Sequence, residues 1–192
     1  MIVAGLDEVG YGALAGPVVV AAVIIGTGPI PDGIDDSKKL TPRKRENLAK
    51  EIMLHHQVAI TFACPDRIAR DNIRQASLWA MAQAINMLDT SPDIALIDGL
   101  YTPTGVQCKT QAIVRGDSKS LPIAAASIVA KVCRDRHMIR MSGTYPGYGF
   151  EQHVGYGTKK HLESLTRLGA CRIHRRNFSP IRDTTTSCIS CA

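Results

Sequence analysis

Two β-branched runs separated by a cluster of glycines constrain this chain more than any other feature. Ile2 to Leu6 and Val18 to Ile25 flank Gly10, Gly12, Gly16 and Pro17, a strand–turn–strand pattern. Asp7 and Glu8 follow the first run directly, and no Lys or Arg lies within nine residues of either. Carboxylates placed side by side repel unless something positive sits between them. The pair is therefore either an exposed acidic turn or part of a cation site. Side chains alternate along a strand, so both acids can share a site only if the first strand ends or bulges between them.

Composition narrows the classes. At 192 residues the chain is long enough for one domain with a substantial core, and 45% hydrophobic with 21% charged is ordinary for a soluble protein. No basic n-region precedes an apolar stretch, and Val18 to Ile25 is far too short to span a bilayer, so the expectation is a cytoplasmic protein with no membrane contact. The six cysteines do not form a disulfide framework; Cys188 and Cys191 make a lone C-x-x-C in a Thr/Ser-rich tail, read as flexible over 183–192. The net charge of +6 is concentrated between Lys159 and Arg182, where seven basic residues accompany a single acid, Glu163. That region is either a solvated basic face or the holder of a polyanion.

Along the chain, strands and helices alternate, an α/β pattern. Thr41-Pro42 is a helix start, giving a helix over 42–55. Ser37, Lys38 and Lys39 lie in the loop ahead of it, where they can grip a phosphate. Val58 to Ala63 reads as a strand, 65–73 and 75–88 as helices with Trp79 and the methionines packing, and 92–99 as a strand that delivers Asp98 before Gly99. A short strand over 111–114 leads to Asp117 at the mouth of an Ala-rich helix over 122–141. Asp98 is also what an ordinary turn looks like, and Asp117 suits a helix N-terminus. Asp135, between Arg134 and Arg136, reads as a surface ion-pair residue. A Gly/aromatic segment over 145–158 holds three of the five tyrosines, placed for stacking on a sugar or base or for core packing, and a helix follows over 158–168.

If the element ends carrying Asp7, Glu8, Asp98 and Asp117 converge, they form an all-oxygen site suited to Mg²⁺ or Mn²⁺ and unsuited to zinc. Two such ions can activate water against a phosphodiester, and a basic, aromatic flank to hold nucleic acid completes the picture of a metal-dependent nuclease.

Longer motifs carry a resemblance from about Ile2 to Arg182. They are Gly5-Leu-Asp-Glu-Val-Gly-Tyr-Gly-Ala-Leu-Ala-Gly-Pro17, Asp36-Ser-Lys-Lys-Leu40, Leu96-Ile-Asp-Gly99, Gly116-Asp-Ser118, Ile123-Ala-Ala-Ala-Ser-Ile-Val-Ala-Lys131, Arg134-Asp135, Tyr145-Pro-Gly-Tyr-Gly-Phe150, His153, Gly155-Tyr-Gly-Thr158, His161 and His174-Arg-Arg176. In these the chain resembles bacterial ribonuclease HII. The resemblance implies a ribonuclease H-like α/β fold, a mixed central sheet flanked by helices, with a catalytic core over 1–142 and a C-terminal helical, substrate-clamping region over 143–182. It implies an endonuclease that cuts the RNA strand of RNA/DNA hybrids and cuts 5′ of ribonucleotides embedded in duplex DNA, leaving 5′-phosphate and 3′-hydroxyl ends. The family's metal-binding carboxylates fall on Asp7, Glu8, Asp98 and Asp117, with Mg²⁺ or Mn²⁺ as a two-metal cofactor. Its sugar-stacking tyrosine falls on Tyr156, and its loop reading the 2′-hydroxyl falls on Gly10, Tyr11 and Gly12. Ser37, Lys38, Lys39, Arg175 and Arg176 are the further expected substrate contacts, and the protein is expected to be a monomer. Three positions depart from the family pattern: Tyr11 replaces an arginine, Val154 a lysine and Asn177 a serine. A hybrid-binding protein with little catalysis is the alternative, and the intact acid quartet argues against it.

Overall fold

The structure is a computed structural model and describes residues 1–35, 37 and 39–183; the Cys188/Cys191 pair and Lys38 lie outside the described residues. Five strands form one mixed sheet in the order β3-β2-β1-β4-β5. They are β1 (Val3–Val9), β2 (Val18–Ile24), β3 (Gln57–Ala63), β4 (Ile94–Asp98) and β5 (Lys109–Ile113). β1 and β2 form the predicted hairpin, β3 adds antiparallel to β2, and β4 and β5 run parallel to β1. Between them lie α1 (Pro42–His55), α2 (Pro65–Asp71) and α3 (Ile73–Asn86); α4 (Leu121–Thr144), α5 (Phe150–His153) and α6 (Lys159–Leu168) complete the chain. Among the described residues, no helix is long and apolar enough to cross a membrane.

The alternation of β1 and β2 divides the core into two layers. Ala4, Leu6, Val18, Val20 and Ala22 face α3, with Ala76, Ala80, Met81 and Ala84 packed on them. Ala21 and Val23 face α1 and α4, meeting Leu48, Ala49, Ile52 and the alanines of α4. The small residues of α4 let it lie directly on the sheet. At the closest point a Cβ on Gly5 would stand 2.1 Å from the carbonyl carbon of Pro122, so any side chain there would push α4 away from β1.

The expected strand end at Asp7 is corrected. β1 continues in unbroken antiparallel register through Asp7↔Ala21, Glu8↔Val20 and Val9↔Val19, with no bulge. The α2–α3 boundary also moves: Ile73 belongs to α3, because Asn72 turns the chain at φ 64° and its side chain accepts from the Gln75 amide at 3.1 Å. Thr41 caps α1 as predicted, accepting from the Lys44 amide at 3.3 Å.

A third apolar cluster joins the chain's last segment to the opening hairpin through Leu14, Ala15, Met138, Tyr148, Phe150, Leu165 and Ile181. Tyr148 and Phe150, which the sequence allowed as stacking platforms, are buried here, their rings parallel at 5.3 Å. Asn177 ties the same segment to α2 by donating to the Ala69 carbonyl at 2.7 Å.

Candidate active site

β1 and β4 are parallel, and their register runs through Leu6↔Ile97. One further step along each strand sets Asp7 beside Asp98. Both lie on the α4 side of the sheet, whereas Glu8 faces α3. Glu8 nevertheless reaches the same cavity, because β1's pairing with β4 stops at Leu6 and the sheet has an open corner there. A space of about 480 Å³ at that corner is lined by Asp7, Glu8, Asp98 and Asp117, together with Gly10, Tyr11, Gly12, Ser37, Ser127, Lys131 and Tyr156. The two acids therefore straddle the sheet's edge, which neither a strand end nor a bulge is needed to achieve.

Asp117 arrives by a tight turn. Arg115 adopts a left-handed conformation at φ 56°, and a 3-10 turn over Gly116–Ser118 follows. The Gly116 amide donates to Asp98 Oδ1 at 2.6 Å, which locks Asp98 to the segment carrying Asp117. Asp7 is 7% exposed, and its Oδ1 accepts from the Glu8 amide at 2.7 Å. Burial first, then the charges of Glu8 and Asp98, push its carboxyl well above the usual range; hydrogen bonds from the Ser127 hydroxyl and the Glu8 amide act in the opposite sense.

This donor set fits a hard divalent cation. All four acidic groups are oxygen donors, and a bound cation would relieve the repulsion that Asp7 feels from Glu8 and Asp98. Among the described lining residues Lys131 is the one cation, and it already pairs with Asp135 at 2.9 Å. Among the described residues, no three acidic, His or Cys groups close around a single point, so the carboxylates line the walls of the space and do not form a finished cage.

The glycine loop that forms one wall is held from behind by two buried arginines. Arg175 donates to the carbonyls of Gly10 at 2.7 Å, Tyr11 at 2.8 Å and Gly16 at 2.9 Å. Arg134 donates to Pro17 at 3.0 Å, Ala15 at 3.1 Å and Val154 at 2.9 Å, and its guanidinium lies 5.3 Å from the centre of the Tyr156 ring. Arg134 thus ties the glycine loop to the turn that presents Tyr156. Gly10 has φ +94°, and a Cβ there would lie 2.0 Å from Arg134 Nε, so this position requires glycine. Burial and the neighbouring Arg134 push the Arg175 guanidinium down to about 9, which leaves it charged at neutral pH.

A chain of histidines fixes the Tyr156 turn. His161 Nδ1 contacts the Tyr156 carbonyl at 2.9 Å and must donate to it. Its Nε2, 3.0 Å from His174 Nε2, must then accept, so His174 donates there and receives the Cys171 amide on Nδ1 at 2.9 Å. His153 accepts the Gly155 amide at 3.2 Å and donates to the Tyr148 carbonyl at 2.8 Å, stacked 4.4 Å from His161. Burial depresses His161, and burial with His161 beside it pushes His174 down to about 4. These folded values lie below the unfolded one, so the stability they confer is complete above pH about 6.5 and is lost as pH falls toward 4. The melting temperature is expected to drop across that window. His161→Leu should raise KM several-fold with little change in kcat, and His161→Asn, which keeps a donor near Nδ1, should recover part of the loss; steady-state kinetics of both variants checks this.

Of the other expected contacts, Ser37 lines the cavity, its Oγ 2.8 Å from the Ser127 Oγ. Lys39 is exposed and paired with Asp35 at 3.2 Å, outside the cavity lining. Arg176 is exposed. Arg175, expected among the substrate-facing cations, is corrected to a 1% exposed brace of the loop. Sequence reasoning did not assign Ser127, Lys131 and Arg134. Their spacing of four and three residues in the otherwise apolar stretch 121–134 of α4 is the signal that one face of the helix carries polar work. Asp135 is an ion-pair residue as expected, held by Lys131 and by Arg45 at 3.9 Å.

A mixed five-stranded sheet in this strand order, flanked by helices, defines the fold class: an α/β fold of the ribonuclease H type. The profile of the Ribonuclease HII family matches residues 4–181, and the chain belongs to that family. It is 54% identical over 181 residues to Ribonuclease HII of Xanthobacter autotrophicus, covering 94% of this chain and 72% of the relative. With Ribonuclease HII of Azorhizobium caulinodans it shares 52% over 180 residues, covering 94% and 69%. Among solved structures it is similar to the ribonuclease H2 of Pyrococcus horikoshii OT3, with a TM-score of 0.82 and 25% identity over 97% of this chain and 98% of that one. The fold also matches Bst-RNase HIII, solved in complex with Mn²⁺, with a TM-score of 0.78 and 19% identity over 97% and 70%. Family membership makes this chain an endoribonuclease hydrolase with ribonuclease H activity on RNA/DNA hybrids, dependent on divalent metal.

Proposed function

We propose that this chain cuts the RNA strand of RNA/DNA hybrids and also cuts 5′ of single ribonucleotides in duplex DNA, leaving 5′-phosphate and 3′-hydroxyl ends. Asp7, Glu8, Asp98 and Asp117 would hold two divalent ions, Mg²⁺ or Mn²⁺. The observation that carries this reading is the lining of one cavity by all four carboxylates together with Tyr156 and the Gly10–Gly12 loop. When bound, such ions supply Lewis-acid stabilisation of phosphate charge and a more acidic water.

The chain's own residues supply position. Arg175 occupies the carbonyls of Gly10 and Tyr11 and so holds the loop rigid, with its amides available to a 2′-hydroxyl. Tyr156, braced by Arg134 beneath its ring and by His161 at its carbonyl, offers a fixed face to a sugar. In the reaction water adds to phosphorus, the bond to the 3′ oxygen breaks, and that oxygen leaves with a proton as the 3′-hydroxyl.

Gel analysis of a labelled DNA duplex with one ribonucleotide, beside an all-RNA/DNA hybrid, tests this with Mg²⁺, Mn²⁺ and EDTA. Metal-dependent cutting 5′ of the lone ribonucleotide is expected; cutting of the long hybrid alone would remove the junction activity, and cutting of neither would overturn the reading. Tyr11 is 43% exposed on the cavity wall. Tyr11→Arg adds a cation beside the substrate backbone and should lower KM for the single-ribonucleotide duplex by about fivefold at low salt. Unchanged KM and cleavage positions would contradict that role.

A further inference from the structure

A second, smaller space opens on the α3 side of the sheet edge, and it shares Glu8, Tyr11 and Asp98 with the acidic cavity. It measures about 70 Å³ and is walled by Arg74 and Ser77 of α3 and by Leu100 and Tyr101 just after β4. Three observations distinguish it from ordinary surface. The Ser77 hydroxyl, on a residue only 4% exposed, is buried with no hydrogen-bond partner, which a folded protein rarely tolerates without a ligand or water. Tyr101 is 54% exposed and Leu100 71% exposed, an apolar surface beside a charged site. The Arg74 guanidinium lies 5.2 Å from the centre of the Tyr101 ring, so the two present a cation and an aromatic face together.

We propose that Arg74, Ser77 and Tyr101 form a nucleotide subsite for the same nucleic acid that the carboxylates cleave. The phosphate of that nucleotide meets Arg74 and the Ser77 hydroxyl, and its base or sugar lies on Tyr101. The placement follows from the acids themselves: Asp7 faces α4 and Glu8 faces α3, so a strand crossing the sheet edge past both has Tyr156 on one side and this subsite on the other. The space is too small for a whole nucleotide, which fits a phosphate seated inside with the rest on the exposed aromatic rim.

The inference rests on the nuclease reading, and binding measured in EDTA separates the two. Fluorescence anisotropy with a labelled RNA/DNA hybrid would be followed across a salt series for the intact chain and for Arg74→Ala, Arg74→Lys, Tyr101→Ala and Ser77→Ala. Arg74→Ala should weaken binding about tenfold and reduce the slope of log affinity against log salt by about 0.9. Arg74→Lys should restore the slope, and Tyr101→Ala should weaken binding about tenfold without changing it. Ser77→Ala should weaken binding less than either and leave melting unaltered or raised. Trimming the duplex from one end should abolish the Arg74 penalty, and trimming from the other should preserve it. Wild-type affinity and slope in both Arg74→Ala and Tyr101→Ala, with unchanged melting, would overturn the subsite while leaving the nuclease reading intact. A wild-type chain that binds no hybrid would overturn both.

Discussion

Asp7→Asn is expected to lower cleavage of an RNA/DNA hybrid by about three orders of magnitude, corresponding to ~4 kcal/mol of lost transition-state stabilisation. The same substitution should raise the melting temperature of the metal-free protein. Asp7 is 7% exposed, and burial, Glu8 and Asp98 all oppose its charge, so a neutral amide of the same shape removes a penalty. Adding Mg²⁺ or Mn²⁺ should reverse the order: the wild type gains melting temperature by linkage, and the variant gains little. Thermal scans with and without metal, run beside cleavage assays, read both effects. A variant that loses activity and stability together would point instead to a structural role for Asp7.

The second large effect is expected at a residue remote from the chemistry. Arg134→Met removes three hydrogen bonds and leaves the carbonyls of Pro17, Ala15 and Val154 without their donor in a buried place. A loss of about 3–5 kcal/mol follows from orphaning groups of this kind. For a chain of this length that is a fall of roughly 10 °C in melting temperature. Because Arg134 also lies under the Tyr156 ring, KM for hybrid should rise further than kcat falls at temperatures where the variant remains folded. Arg134→Lys cannot reach three carbonyls with one ammonium and should recover only part of the stability. Differential scanning calorimetry with steady-state kinetics at 25 °C separates the two consequences.

These expectations show where the sequence was informative. That Asp7, Glu8, Asp98 and Asp117 line one space was legible because each acid interrupts or closes an apolar run close to a glycine, where a charge has no reason to stand unless it does something. Thr41-Pro42 named its helix because capping is local chemistry, and the bounds of α1 agree to the residue. The side of the sheet on which each acid lies was not legible. Alternation along β1 correctly placed Asp7 and Glu8 on opposite faces. The inference that they could then meet only through a strand end or a bulge was wrong, because it ignored where pairing with β4 stops. Register between distant strands is a tertiary property, and the open corner past Leu6↔Ile97 exists only once β4 is in place.

Arg134, Arg175 and the histidines were opaque for a related reason. An Arg beside other basic residues reads as surface charge, and Arg175 lies in His174-Arg-Arg176 within the basic segment. What buries it is a set of three backbone carbonyls in a loop more than 150 residues earlier, and backbone acceptors carry no sequence signature. The same holds for His161, whose partner is the carbonyl of Tyr156 and not its ring. The aromatic segment over 145–158 divided in the same way. Tyr148 and Phe150 went to the core, and Tyr156 to the cavity, because the left-handed turn at Val154 and Gly155 redirects the chain between them.

The most direct test of the central assignment is a calorimetric titration of Mn²⁺ into the intact chain and into Asp98→Asn. Asp98 is the carboxylate that ties the two parallel strands to the Asp117 turn through the Gly116 amide. If the carboxylates at the sheet corner are the metal site, the wild type binds Mn²⁺ and the variant binds at least about tenfold more weakly while melting as a folded protein. Equal binding by both chains would contradict the assignment.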